Sequence, residues 1–200
     1  MKILLVGANG AVGKHVKNVM SEAGHEVISI GKKSGDFQMN IEDASSIESV
    51  YKRIGSFDAV AIAAGDVAFA PLAALSSEQW GTSLQSKLMG QIKLVQQALP
   101  YINEKGSFTL ISGILGEEFI LGGAIASTVN SAIEGFAQAA AFELPKGLRI
   151  NVVSPTLLKD SVGTYGPYFP GFLPVDGEKV AQAFKKSIMG IQTGTIYRVH

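Results

Sequence analysis

The stretch KILLVGANGAVGKHV, residues 2–16, constrains most strongly what this chain can fold into. A run that is apolar on both faces gives way to Gly7, Gly10 and Gly13, and then to a helical pattern from about Val12 to Ala23. A strand buried on both sides, turning tightly into a helix, belongs to a parallel sheet covered by helices. The turn is where an anion would meet unpaired helix N–H groups and the positive end of the helix dipole, the alternative being a tight strand-to-helix turn with no ligand. Glycine is required there because a Cβ would block close approach of a pyrophosphate or clash in a turn with positive φ.

The same alternation runs to the end of the chain. The apolar runs EVISIG, DAVAIAAG, SFTLISG, LRINVVSP and GTIYRV alternate with helical patterns in SSIESVYKRI, SEQWGTSLQSKLMGQIKLVQQAL, AIASTVNSAIEGFAQAAAFELP and GEKVAQAFKKSI. This order predicts a doubly wound α/β domain with helices on both faces of the sheet. Two hundred residues that are 46% hydrophobic suit one domain, residues 1–200. Residues 161–176, SVGTYGPYFPGFLPVD, break the alternation, with three of the seven prolines, four aromatics and no helix or strand period. Such a segment is either a lid over a binding site or a mobile surface excursion, and the cost of leaving aromatics in water favours the lid.

Charge and composition exclude several classes of function. Basic and acidic residues number 17 each, so no global field draws the chain to nucleic acid or an anionic membrane surface. There is no cysteine, and His15, His25 and His200 lack a ligand-like spacing, so no metal site is expected. Neither the N-terminal run nor any later stretch has the character of a signal peptide or a bilayer span, which makes the cytoplasm the expected location.

At the end of the second apolar run stands GKKS, Gly31, Lys32, Lys33 and Ser34, where folds that prefer a 2′-hydroxyl commonly carry a carboxylate. Two ammonium groups and a hydroxyl instead suit a 2′-phosphate, because charge-assisted hydrogen bonds are about twice as strong as neutral ones. The residue pattern therefore points to NADP, the alternative being a solvated basic turn.

Five motifs in order and spacing extend this reading: GANGAVG, the AAG of residues 63–65, Ser112, NSAIEGF at residues 130–136, and NVVSP at residues 151–155. Over nearly its whole length the chain resembles the short-chain dehydrogenases/reductases, in particular their short, uncharacterised members. The resemblance implies a Rossmann-like sheet of seven mostly parallel strands, with a nicotinamide cofactor lying along the strand C-termini. It assigns Gly7, Asn9, Gly10 and Val12 to the cofactor loop, and Asn40 and Ile41 to the adenine. Ala63, Ala64 and Gly65 match the turn beneath the adenine ribose, and Pro155, Thr156 and Leu157 the segment beside the nicotinamide. Asn40 stands where the family usually has Asp, and Thr156 where it usually has Gly. The helix of residues 124–145 matches one that often lines a subunit interface, so the resemblance also implies a homo-oligomer.

The family's chemistry rests on Ser, Tyr and Lys. Ser112 is present, either as the polarising hydroxyl or as one that satisfies a strand end, but the resemblance puts Ala126 at the tyrosine position and Asn130 at the lysine position, and residues 106–145 contain no Tyr, Lys, Arg or His. Ala126 and Asn130 lie four apart on one helical face, continued by Ala137 and Ala141. Lys87 occupies a position where the family usually has an active-site asparagine. It is either a relocated lysine reaching the cleft, with Asn130 as a neutral ribose partner, or a solvated helix cation. Tyr165 and Tyr168 are candidate proton donors or aromatic packing of the lid, and Glu117 and Glu118 read as solvated carboxylates. Two functions follow: an NADP(H)-dependent oxidoreductase of a small carbonyl or alcohol using Ser112, Lys87 and Tyr165, or a non-catalytic NADP(H)-binding sensor or assembly protein.

Overall fold

The computed structural model describes all 200 residues, Met1–His200. Its elements run β1 (Lys2–Val6), α1 (Gly13–Glu22), β2 (Glu26–Gly31), β3 (Phe37–Gln38), α2 (Ala44–Ile54) and β4 (Phe57–Ile62). There follow α3 (Ser77–Ser83), a π-helical stretch (Leu84–Met89), α4 (Gly90–Ala98), β5 (Ile102–Ile111) and α5 (Ala124–Ala140). The chain ends with β6 (Arg149–Pro155), α6 (Val162–Tyr165), α7 (Gly177–Met189) and β7 (Ile196–Val199). The strands form one sheet in the order β3-β2-β1-β4-β5-β6-β7, every neighbouring pair parallel.

The double burial expected of the strands is visible in β1. Leu4 and Val6 join a core with Ile47 and Tyr51 of α2, Leu94 of α4 and Val129 and Ile133 of α5. Ile3 and Leu5 point the other way, into a core with Val16 and Met20 of α1 and Val180 and Phe184 of α7. Period-two alternation thus serves two apolar layers at once, which is why these strands read as continuous hydrophobic runs. Two of the helices start where a side chain supplies partners for free N–H groups. The Asp43 side chain accepts from the Ser45 amide ahead of α2, and Ser76 with Gln79 forms a reciprocal capping box ahead of α3.

Three elements depart from the sequence reading. The third strand has only two residues, too short to carry a period. Helix α5 ends at Ala140 and tightens into a turn over residues 141–143, because Pro145 cannot continue a helix and restricts the residue before it. Residues 161–176 are not devoid of helix. They hold α6, followed by a 3₁₀ turn at Gly166–Tyr168, and Val175 bridges back to Leu158 in parallel. Single turns of this kind need no amphipathic repeat, so apolar spacing does not announce them. No helix is long and apolar enough to cross a membrane.

Candidate functional site

The strand order reverses beside β1, which pairs with β2 on one side and β4 on the other. In open α/β sheets the crevice beyond the strand C-termini at such a point is where ligands bind. Gly7 leaves β1 with φ +85°, and a Cβ there would collide with the Ala63 carbonyl oxygen, so the loops after β1 and β4 are in backbone contact. Gly65 has φ +116°, and a Cβ on it would come 2.7 Å from Lys87 Cα. These two glycines let the β4 loop lie between the first turn and the π-helical stretch that carries Lys87.

Two cavities lie along this line. The smaller, about 110 Å³, is lined by Gly7, Gly31, Lys32, Asn40, Ile41, Ala64 and Gly65, together with Met39, Asp66 and Ser86. The larger, about 220 Å³, gathers Lys87, Ser112, Asn130, Pro155, Thr156, Leu157 and Tyr165 from five separate segments, with Ala126 in the same wall. The structure thus brings together the three candidate catalytic residues and the segment assigned to the nicotinamide. Asn9, Gly10, Val12, Lys33, Ser34 and Ala63 fall outside both linings. Asn9 Nδ2 donates to Ser34 Oγ at 2.9 Å, tying the glycine loop to the basic turn, and exposed Lys32 approaches Glu42 at 3.8 Å.

Ser112 is held at three points. Its amide donates to the Val153 carbonyl of β6 at 3.0 Å, and its carbonyl accepts from Lys87 Nζ at 3.2 Å. Its hydroxyl donates to Glu134 Oε1 at 2.7 Å, so the Ser112 proton is turned toward α5 and not toward the cavity. Burial pushes the Lys87 ammonium down to about 8, with the negative charge of Asp66 acting in the opposite direction. Lys87 is therefore not the solvated cation that a helical lysine usually is.

Whether the residues fit a dinucleotide can be judged from unpaired polar atoms. Asn130 donates through Nδ2 to the Gly113 carbonyl at 3.2 Å, but its Oδ1 is buried without a partner, as is Thr156 Oγ1. Buried polar atoms are normally hydrogen-bonded. Two such atoms on residues lining one cavity, with the glycine cradle beside Gly7, fit the hydroxyls and carboxamide of a nicotinamide nucleoside.

Tyr165 lies against Phe69 with ring centroids 6.1 Å apart, and Tyr168 meets the same ring at 6.2 Å. Tyr168 does not line the cavity and belongs to a neighbouring apolar groove with Leu72, Phe119 and Leu121. Glu117 forms an ion pair with Arg198 of β7, whereas Glu118 is exposed. Sequence reasoning missed Phe69, in the unpatterned stretch after β4, and Glu134. The signal for Glu134 is its spacing, four residues beyond Asn130 on the same face of α5.

A parallel doubly wound sheet with its glycine turn at the switch point defines the class of dinucleotide-binding α/β domains. A family model described as enoyl-(acyl carrier protein) reductase matches residues 1–183, and the chain belongs to this family of short-chain dehydrogenases/reductases, oxidoreductases that use a nicotinamide cofactor. The crystal structure of protein lin1944 from Listeria innocua is similar at 46% identity with a TM-score of 0.98, all of each chain being covered. An uncharacterised oxidoreductase of Staphylococcus epidermidis is 21% identical over 90% of this chain and 87% of its own. A small-chain dehydrogenase solved in complex with NADPH has the same fold at 21% identity and a TM-score of 0.89, covering 100% of this chain and 96% of its own.

Proposed function

We propose that the chain is an NADP(H)-dependent oxidoreductase of a small carbonyl or alcohol, working without the family's usual tyrosine and lysine. The observation that carries this reading is the convergence of Lys87, Ser112 and Asn130 with residues 155–157 on one cavity at the strand C-termini. Ala126 and Asn130, at the positions that resemblance gives to the tyrosine and lysine, line that cavity without a titratable group. Lys32 and Lys33 supply the charge and Ser34 the hydroxyl that a 2′-phosphate needs, and the NADPH complex of a distant relative supports the same choice. The unit is one NADP-binding domain, with residues 161–176 as its lid, which brings Ser161, Tyr165 and Phe169 to the cavity.

When bound, NADPH supplies a hydride to the substrate's carbonyl carbon. Asn130 Oδ1 and Thr156 Oγ1 are free to bond the nucleoside and orient it. Lys87 places a cation beside Ser112 in a partly dehydrated cavity, where it stabilises negative charge developing on the substrate oxygen. Ser112 contacts that oxygen directly, and Phe69 and Tyr165, tilted against each other at the cavity wall, exclude water.

Calorimetry checks the cofactor: NADPH binds with a Kd at least about tenfold below that of NADH, and Lys32→Ala with Lys33→Ala narrows the gap. Equal affinities would defeat the NADP assignment. Single-turnover oxidation of NADPH across aldehydes, ketones and quinones checks the chemistry, with Lys87→Ala and Ser112→Ala each slowing the reaction by roughly 10²-fold. Binding without turnover on any substrate would make the chain a non-catalytic NADP(H)-binding protein instead.

A further inference from the structure

Glu134 stands directly behind the cavity, on α5 one turn beyond Asn130, with 8% of its surface exposed. No lysine, arginine or histidine forms an ion pair with it. Burying a carboxyl is costly unless it is hydrogen-bonded, and the partner here is the Ser112 hydroxyl at 2.7 Å. The backbone of Gly116 covers the same oxygen, since a Cβ at that glycine would lie 3.3 Å from Glu134 Oε1. Ser112 lines the cavity and Glu134 does not, so the hydroxyl separates the carboxyl from any substrate.

A hydroxyl has one proton to give. With that proton directed at Glu134, Ser112 presents lone pairs to the cavity and accepts a hydrogen bond from a substrate alcohol. Resting on the oxidoreductase reading above, we propose that Glu134 is a positioning residue that takes and returns the substrate's proton through Ser112. In alcohol oxidation the substrate O–H bond breaks and its proton goes to Ser112 Oγ, while the proton already on Ser112 moves to Glu134 Oε1. The substrate C–H bond breaks with both its electrons, which reduce NADP⁺ as a hydride, leaving a carbonyl product and a neutral Glu134 side chain. Carbonyl reduction is the reverse. Lys87 does not compete with this relay, because it bonds the carbonyl of Ser112 and not its hydroxyl.

Glu134→Gln keeps an acceptor oxygen and nearly the same volume but cannot take the proton. Its single-turnover rate falls by roughly 10²-fold or more, while KM and the Kd for NADPH stay within about twofold of the parent. In Glu134→Ala, added formate restores part of the lost rate. A third measurement uses the ligand-free protein and keeps Glu134. The side-chain carboxyl ¹³C resonance of Glu134, assigned through the backbone, shifts in Ser112→Ala. A parental rate in Glu134→Gln, no rescue by formate, or an unmoved carboxyl resonance each overturns the relay. If Glu134→Gln fails to fold, the rescue and the resonance still decide. A parent that turns over no substrate would defeat the oxidoreductase reading as well, whereas an active parent with an indifferent Glu134→Gln would defeat the relay alone.

Discussion

Lys87 is where burial, charge and geometry meet. Its ordinary value of 10.5 falls to about 8 because burial penalises the ammonium. If its charge stabilises the substrate oxygen during reduction, the reduction rate declines as pH rises through about 8, and Lys87→Met loses that inflection together with most of the rate. A rate profile with the same inflection in Lys87→Met would remove Lys87 from the chemistry. Stability moves with the opposite sign. Between about 8 and 10.5 the unfolded chain holds more protons at this site than the folded one, so the Lys87 contribution makes the fold more stable as pH rises across that window. Urea titrations at both ends of the window should show a smaller gain for Lys87→Met. Lys87, Ser112 and Asn130 were legible in the sequence because each occupies a fixed place in a recognisable pattern. Glu134 shares a helix face with Asn130, yet a lone carboxylate is ordinarily assigned to water. Its burial comes from the turn at Gly116 folding over it, a tertiary event without a local signature.

At the scale of elements, the precision of the site depends on how α3 and α4 are fastened to the sheet. The π-helical stretch between them carries Lys87, and such distortions are frequent at functional sites. Gln91, fully buried one turn later, donates through Nε2 to the carbonyls of Lys87 at 3.0 Å and Ile111 at 2.9 Å. Its Oε1 accepts from the Ile111 amide at 3.0 Å. One side chain therefore ties the backbone of Lys87 to the residue preceding Ser112. Gln91→Leu should cost about 2–3 kcal/mol in urea unfolding with an unchanged m-value, because it strands buried backbone groups at the end of β5. It should also slow single-turnover reduction, although Gln91 lines neither cavity; an unaltered rate would separate this clamp from catalysis. Periodicity marked this helix clearly but gave Gln91 no distinction from other polar residues on it. Residues 161–176 were legible as an interruption, from their prolines and aromatics. Their anchoring was not, since it depends on partners outside the segment: Tyr165 and Tyr168 on Phe69, Asp176 on Lys159 at 2.8 Å, and, just before the segment, Asp160 on Lys14 at 2.7 Å.

For the whole molecule, the two-faced strands that made the architecture readable also set how it should come apart. Each central strand feeds both cores, Leu4 and Ile3 of β1 to opposite sides, and likewise Val60 and Ala61 of β4. Neither helical layer can lose its packing without exposing one face of the same sheet, so the layers should not unfold independently. Phe184, fully buried in the core beneath α1 and α7, and Ile133, fully buried in the opposite core, provide a matched pair of probes. Phe184→Ala should cost about 3–5 kcal/mol and Ile133→Ala about 2–5 kcal/mol through lost burial and the cavity left behind. The single tryptophan, Trp80, packs against the core opposite Phe184 and reports that layer alone. If the chain is one cooperative domain, Phe184→Ala lowers the midpoint seen by Trp80 fluorescence as much as the midpoint seen by far-ultraviolet circular dichroism. A dichroism transition that shifts while the Trp80 transition stays in place would show that the α1–α7 layer melts by itself. The cofactor crevice would then lie between two independently stable layers, and the single-domain reading would have to be abandoned.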